Sequence, residues 1–315
     1  MWAGLPPARI LYGRVAPDAT QGVALVRTIQ YPSATMTASQ TVQRPAAHIG
    51  QKARAQPPPR LYTLLEWRSL LEFGLLPASW PWLRSTPMGD GHPVLLLPGF
   101  AAGDATLKPL AAFLATRGYA VETWGFGRNR GFARKFVSAL EQKLRYMHHH
   151  SGRRVSVIGW SLGGVFAFDL AHRLPDLVRG VYSLGSPMRL DPARVEAPLA
   201  VKVLYRWLAH PLGPVAHMAM ARAKLLEQAP PVPSTCIYSA TDGVVPAHAA
   251  MIECEGAQHE NVPVPGSHLG LGFNPLVMWI LAERLAQPEG AWQPFAPQGS
   301  LARVYRRLLA LPKPA

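Results

Sequence analysis

One short stretch of the sequence limits the possible fold more than any other. Residues 155–164, Val-Ser-Val-Ile-Gly-Trp-Ser-Leu-Gly-Gly, run from mainly apolar side chains into a Gly-x-Ser-x-Gly pattern centred on Ser161. This pattern predicts a strand, a sharp turn and a helix, with the serine held clear of the sheet in a strained backbone conformation. Because strand and helix nearly touch there, the residues two before and two after the serine must be tiny, and Gly159 and Gly163 meet that requirement. We call this turn the nucleophile elbow.

The rest of the chain alternates strand-like and helix-like segments. Before the elbow, Val94–Leu97 is short and wholly apolar, which is typical of a strand covered on both faces of a parallel sheet. Helical patterns separate this run from the later ones, and the alternation predicts an α/β fold with a mainly parallel sheet. The predicted strands lie at residues 94–97, 120–124, 155–158, 180–184, 235–239 and 261–264.

Changes in composition divide the chain into successive parts. The first residues are rich in Ala, Thr, Gln, Ser and Pro, and we expect a poorly ordered leader there. The alternation breaks at Met188–Val232, where apolar stripes and prolines predict a helical insertion. The predicted parts are the leader at 1–59, an amphipathic helix and connector at 60–87, the α/β core at 88–187 and 233–295, the insertion at 188–232 and a basic tail at 296–315.

An apolar stripe at helical spacing follows the leader. It runs as far as Pro77, where we expect the helix to end. Such a helix is too short to span a bilayer, so it either packs against the domain, which we favour, or lies in a membrane interface as a peripheral contact. The stripe consists of Leu61, Leu64, Leu65, Trp67, Leu71 and Leu75.

Ser161 has an acid and a histidine downstream in suitable places. A serine hydroxyl becomes a nucleophile when a base accepts its proton and an acid orients that base. In an open α/β sheet such groups lie in loops after the carboxyl ends of strands. Asp242 follows the predicted strand 235–239 and His268 follows 261–264, in the chain order expected after an elbow serine. We therefore predict a catalytic triad of Ser161, Asp242 and His268.

Other acids and histidines fit this pattern less well. Asp191 also follows a strand, and it stays open as a minor alternative to Asp242. His259 precedes its predicted strand, and His172 lies on the helix behind the elbow. His92 precedes the first core strand and is expected at the opposite edge of the sheet.

The oxyanion formed when Ser161 attacks a carbonyl needs two backbone N–H donors. The residue after the nucleophile supplies one, so Leu162 is the first predicted donor. The loop after Val94–Leu97 should supply the other, and Phe100 is the predicted second donor. The predicted substrate pocket is lined by Trp160, Ala101 and Leu269.

Charge and cysteine content argue against several classes of protein. The formal net charge is +14, but the Arg residues are scattered and no nucleic-acid-binding motif accompanies them, so we expect a solvated basic surface and no nucleic acid partner. Cys236 and Cys254 are too few for a disulfide framework. With no long apolar run and no signal-peptide pattern, we expect a cytoplasmic protein without a transmembrane helix. We expect neither a metal ion nor a cofactor.

Five motifs together resemble one known superfamily. They are Leu-Leu-Leu-Pro-Gly-Phe at 95–100, Gly-Trp-Ser-Leu-Gly-Gly at 159–164, Leu-Gly-Ser-Pro at 184–187, Thr-Asp-Gly-Val-Val at 241–245 and Gly-Ser-His at 266–268. Over about residues 88–295 the chain resembles the α/β hydrolases, in particular bacterial lipases and esterases. The resemblance implies an eight-stranded sheet, a Ser-Asp-His triad at these positions, ester hydrolysis through an acyl-enzyme, and a mobile helical lid at 188–232. Many members have His before the oxyanion glycine, where this chain has Pro98. Some lipases resemble this chain at that position.

The sequence as a whole predicts a serine hydrolase that cleaves carboxylic esters. Phe100, Trp160 and Leu162 near the nucleophile, with the apolar insertion, favour an apolar acyl chain because buried apolar area would supply the binding free energy. An acyltransferase or a thioesterase would use the same three residues. A non-catalytic binding protein on the same scaffold is the third alternative, and the intact triad argues against it.

Overall fold

A parallel sheet organises the protein. The computed structural model describes residues 58–131, 134–188, 226, 228–252, 258–298, 302, 305 and 307–309. The six strands found in them are all parallel to their neighbours, in the order β2-β1-β3-β4-β5-β6. They are β1 (Pro93–Leu97), β2 (Ala120–Thr123), β3 (Val155–Trp160), β4 (Val178–Leu184), β5 (Ser234–Tyr238) and β6 (His259–Pro263).

Helices cover both faces of the sheet. One hydrophobic cluster joins the sheet to α2, α3 and α6, and a second joins it to α4 and α5 on the other face. None of the helices among the described residues is both long and apolar enough to cross a membrane. The helices are α1 (Arg60–Leu64), α2 (Ser69–Leu83), α3 (Asp104–Thr116), α4 (Arg134–Ser151), α5 (Leu162–Arg173) and α6 (Pro275–Leu285), with 3-10 turns at Leu65–Arg68, Pro175–Leu177 and Ala247–Ala249.

The predicted α/β class and parallel sheet are confirmed, whereas the implied strand number is not. The described residues form six strands instead of eight. The described residues before β1 form α1, a 3-10 turn and α2, so that part of the chain adds no strand to the sheet. The physical reason lies in the residues themselves, because the leucines of this segment recur at helical rather than alternating spacing.

The helical segment 60–83 also departs from expectation in two ways. Helix α2 continues through Pro77 and Pro81 to Leu83, because the packing of its last turn offsets the hydrogen bonds that proline removes. In that turn Leu83 is buried and Trp82 stacks on Trp279 with ring centroids 6.3 Å apart. The stripe expected to pack against the domain is instead mostly exposed, at Leu61, Leu64, Trp67, Leu71 and Leu75.

The strand order is of the kind that leaves a crevice beside the elbow. Strand β1 lies between β2 and β3, so the chain leaves β1 towards one side and returns to pair with its other side. Loops that follow the two strands at such a point diverge and leave room for a ligand at the carboxyl edge. The loop after β1 and the elbow after β3 flank this crevice. Most of the insertion 188–232, including Asp191, lies outside the described residues, as do residues 1–57 of the leader.

Candidate active site

Ser161 occupies the strained turn that the sequence pattern predicts. It joins the last residue of β3 to the first residue of α5, with φ 52° and ψ −122°. A positive φ is unfavourable for a residue other than glycine and persists only where the surroundings impose it. A Cβ at Gly159 would lie 2.2 Å from the Gly163 backbone, and one at Gly163 would lie 2.3 Å from the carbonyl oxygen of Leu97. Both glycines are therefore required by close backbone approach.

The structure brings together the three side chains predicted to form a triad. The Ser161 Oγ lies 3.0 Å from Nε2 of His268, and Nδ1 of His268 lies 2.7 Å from Oδ2 of Asp242. Asp242 and His268 are only 3% and 4% exposed. The order of contacts is that of a serine nucleophile, a base and an acid that orients the base.

Local hydrogen bonds determine which oxygen of Asp242 faces the histidine. The backbone N–H groups of Val244 and Val245 donate to Oδ1 at 2.8 and 2.7 Å, which leaves Oδ2 for His268. Burial alone lowers the pKa of His268, but the charge and hydrogen bond of Asp242 and the charge of Glu66 outweigh it and raise that pKa above its ordinary value. The imidazolium is thus stabilised at the position where it would form.

The predicted oxyanion donors lie on the two elements that flank the crevice. Leu162 is the first residue of α5, and a first-turn N–H has no acceptor within its helix. Phe100 follows Gly99, whose position brings the loop after β1 against the nucleophile, since a Cβ added there would lie 3.3 Å from Cβ of Ser161. The predicted donors therefore lie on either side of Ser161, Leu162 at the start of α5 and Phe100 in the loop after β1.

Asn129 holds the loop after β1 and was not predicted from the sequence. This fully buried residue donates from its backbone to the Ala102 carbonyl at 2.8 Å and accepts at its own carbonyl from Ala101 N–H at 2.7 Å. Its side-chain Nδ2 donates to the Pro98 carbonyl at 2.8 Å, and its Oδ1 accepts from Gly131 N–H at 3.1 Å. The sequence signal was the glycine-rich loop 125–131, which indicates the edge of a site but does not single out Asn129.

The residues predicted to line the substrate pocket occupy different environments. Trp160 is buried, and its indole N–H donates to the His268 carbonyl at 3.1 Å, so it supports the loop that carries His268 from within the core. Ala101 is half-buried with φ 62° in the loop after β1. Leu269 is 47% exposed directly after His268. Of the three, Ala101 and Leu269 have the exposure that contact with a substrate requires.

A second serine, histidine and aspartate lie in line at the amino end of the strands. Nε2 of His92 is 2.8 Å from the Ser156 Oγ, and its Nδ1 is 2.5 Å from Asp90. Ser156 and His92 are completely buried, and burial lowers the pKa of His92. Because no substrate can reach Ser156, this arrangement is structural. Strand β6 begins two residues earlier than predicted, so His259 is its first residue and does not precede it. The His259 side chain contacts Ser234.

Comparison with known proteins gives one family and one curated relative. The family model described as alpha/beta hydrolase fold matches residues 92–216, which include Ser161 but neither Asp242 nor His268. The pimeloyl-[acyl-carrier protein] methyl ester esterase of Sodalis glossinidius (strain morsitans) is 30% identical over 108 residues, covering 34% of this chain and 40% of that protein. The match thus spans less than half the length of the curated relative.

Solved structures with similar folds include two lipases. Lipase B of Aspergillus fumigatus aligns with a TM-score of 0.49 and 18% identity over 66% of this chain and 56% of its own. The monoacylglycerol lipase of Paleococcus ferrophilus aligns with a TM-score of 0.44 and 16% identity over 62% of this chain and 96% of its own.

Proposed function

We propose that this chain, a member of the α/β-hydrolase superfamily, is a serine hydrolase that cleaves carboxylic esters through an acyl-enzyme. The observation that carries the proposal is the unbroken line of contacts from Ser161 Oγ to His268 at 3.0 Å and from His268 to Asp242 at 2.7 Å. The name of the curated relative, a methyl ester esterase, supports an ester as the bond that is cleaved.

Acylation in this proposal begins at Ser161. Its Oγ attacks the ester carbonyl carbon while the hydroxyl proton passes to Nε2 of His268, and the carbonyl π electrons move onto oxygen. When the carbonyl re-forms, the bond to the leaving alcohol breaks and His268 donates the same proton to the alcohol oxygen. Asp242 accepts the hydrogen bond from Nδ1–H of His268 and keeps the imidazole oriented. Water then repeats the sequence on the acyl-enzyme and releases the acid.

In this proposal the N–H groups of Phe100 and Leu162 donate hydrogen bonds to the carbonyl oxygen and stabilise the negative charge that develops on it. Backbone donors of this kind stabilise the oxyanion without reorganising, and losing one costs about 10²–10³ in kcat in a serine protease. The elbow places Leu162 next to the nucleophile, and the bonds of Asn129 hold the loop that carries Phe100. Half-buried Phe100 and Leu162 and exposed Leu269 are apolar residues next in sequence to Gly99, Ser161 and His268, which favours an apolar acyl chain.

The proposal is tested by activity and by covalent labelling. We expect the protein to hydrolyse nitrophenyl esters, with kcat/KM varying across a series of acyl chain lengths, and to be labelled by a fluorophosphonate probe. Ser161→Ala should abolish labelling and lower kcat by about 10⁴–10⁶. Ser151→Ala, at an exposed serine that ends α4, is the matched control and should keep both properties.

Different failures lead to different conclusions. Absence of both turnover and labelling in the wild-type protein would overturn the hydrolase proposal and favour a binding role on the same scaffold. Labelling of Ser161 with transfer of the acyl group to an added alcohol in preference to water would identify an acyltransferase. Faster turnover of thioesters than of oxygen esters would identify a thioesterase.

A further inference from the structure

A buried carboxylate from the helical segment 60–83 lies against the backbone of two loops, the one that carries Asp242 and the one that carries His268. Glu66, in the 3-10 turn Leu65–Arg68, is 7% exposed. Its Oε1 accepts from the N–H of Gly243 at 2.8 Å and from the N–H of His268 at 2.9 Å. Its Oε2 accepts from the N–H of Leu269 at 2.9 Å. One side chain thus binds the residue after Asp242 and the backbone of the proposed catalytic base.

Two neighbouring side chains reinforce this connection. Arg68 donates from Nη2 to the carbonyls of Thr241 and Gly266 at 2.7 and 2.8 Å. Glu72 accepts from the backbone N–H of Ser267 at 2.8 Å and from its hydroxyl at 2.7 Å. The loop after β5 and the loop after β6 are therefore both bound by residues of one helical segment.

We propose that Glu66 is a positioning residue that ties the loop carrying Asp242 to the loop carrying His268 and so maintains the contact between their side chains. The inference rests on the proposed function, because it assigns Glu66 a role in that triad.

The donor set explains why a carboxylate is needed. Three N–H groups converge on Glu66, and an ionised carboxylate accepts at both oxygens without offering a donor in return. Hydrogen bonds to an ionised acceptor are also shorter and stronger than those between neutral groups. Glutamine would turn an NH₂ group against one of the three N–H donors. No neutral side chain of this shape satisfies the whole set.

The charge of Glu66 gives the proposal a second measurable consequence. The ionisable groups that face His268 are Asp242 and Glu66, while Glu72 and Arg68, paired at 3.4 Å, bind the adjacent loop residues. The negative charge of Glu66 contributes to the raised pKa of His268. Removing it should move the acid limb of the activity profile to lower pH, because neutral His268 is the active form of the base.

The test compares Glu66→Gln with Glu66→Asp. For Glu66→Gln we expect kcat for a nitrophenyl ester to fall about 10- to 100-fold with little change in KM, since small displacements of catalytic groups cost rates of this size. The midpoint of the acid limb of kcat/KM should move to lower pH. Glu66→Asp keeps the charge and should return that midpoint towards wild type even where kcat recovers only in part.

Controls separate positioning from simple support of the fold. Glu122→Gln, at an exposed carboxylate on β2, should leave kcat and the pH profile unchanged. Rates are expressed per folded molecule, measured from the amplitude of the urea unfolding transition. A Glu66→Gln protein that is merely less stable, with wild-type kcat and acid limb per folded molecule, would overturn the inference.

The remaining outcomes are also decisive. If Glu66→Gln does not fold, the test uses Glu66→Asp alone. A reduced kcat with an unchanged KM and an unchanged acid limb supports positioning, whereas a kcat equal to that of the wild type overturns it. A wild-type protein without turnover or Ser161 labelling would overturn the proposed function itself. An active wild-type protein whose Glu66 variants have the same kcat and pH profile would overturn only the inference about Glu66.

Discussion

In the proposed mechanism, the protonation of His268 determines when this residue can accept the proton of Ser161. Asp242 and Glu66 raise the pKa of this residue, and the base must be neutral to accept the proton of Ser161. Activity should therefore be low where His268 is protonated and should rise as pH increases through the raised pKa. We expect the acid limb of kcat/KM to have its midpoint above about 6.5, the ordinary value for histidine.

Substitution of Asp242 checks the origin of that midpoint. Asp242→Asn removes the charge and the acceptor of the 2.7 Å contact, so the midpoint should move to lower pH while kcat falls by about 10⁴, as for the equivalent change in a serine protease. Initial rates of nitrophenyl ester hydrolysis between pH 5 and 9 measure both. An acid limb at the same pH in the wild type and in Asp242→Asn would show that another group titrates.

Asn129 is expected to act on catalysis through the loop that carries Phe100. Asn129→Ala removes the bonds from its side chain to Pro98 and Gly131 but leaves its backbone bonds intact. The loop should loosen next to Ser161, lowering kcat about tenfold, which is less than the loss of an oxyanion donor itself. The free energy of unfolding should fall by about 1–3 kcal/mol because buried partners lose their hydrogen bonds.

Asn261→Ala provides the matched control for this prediction. Asn261 also bridges backbone groups, accepting from Ile252 N–H at 3.1 Å and donating to its carbonyl at 3.0 Å, but on β6 away from the elbow. It should reduce the free energy of unfolding by a similar amount without changing kcat. Equal kcat in the two variants would contradict a role for Asn129 in positioning the loop.

The contact between β1 and α5 decides whether the elbow forms. A Cβ at Gly163 would lie 2.3 Å from the Leu97 carbonyl oxygen, closer than atoms approach in folded proteins, so Gly163→Ala must push β1 and α5 apart. We expect urea unfolding to show a loss of about 1–3 kcal/mol, or more, and esterase activity to fall with it. Gly74→Ala in α2, where no atom lies within 4 Å of the added Cβ, should be neutral or stabilising.

The elements also differ in how far sequence could predict them. Strands β1, β3 and β4 are covered on both faces and consist largely of apolar residues, so their positions follow from the sequence to within a few residues. The helical segment 60–83 was also predicted, but the way it attaches to the rest of the domain was not. Its attachment depends on polar contacts between residues far apart in sequence, such as Glu66 with Gly243 and His268, and no local pattern encodes them. The same reason explains why Asn129 was missed.

At the scale of the whole molecule, the helical segment 60–83 has two opposite sides. Glu66 and Glu72 point inwards to the loop that carries His268, while the outward side is apolar and lies between the exposed residues Arg60 and Arg84. An exposed apolar surface with basic residues at its ends and its acids turned away matches an anionic lipid surface. We call this the apolar face; its side chains, between 51% and 75% exposed, are Leu61, Leu64, Trp67, Leu70, Leu71, Phe73 and Leu75.

The apolar face leads us to expect peripheral binding to anionic membranes. The protein should co-sediment with phosphatidylcholine vesicles that contain phosphatidylglycerol, bind phosphatidylcholine alone less well, and dissociate as salt is raised, because the Arg contacts are screened. Replacing both Leu64 and Leu70 with Ser should weaken binding at least about tenfold, since each buried leucine contributes about 1.5–3 kcal/mol.

Tyr146→Ser tests whether any exposed apolar residue would have the same effect. Tyr146 is 60% exposed on α4, and its loss should leave vesicle binding unchanged. If the double leucine variant binds vesicles like the wild type, the apolar face does not contact lipid. If sedimentation shows that the wild type is a dimer and the double variant a monomer without any vesicle binding by either, the face binds a second copy of the chain and the membrane prediction is wrong.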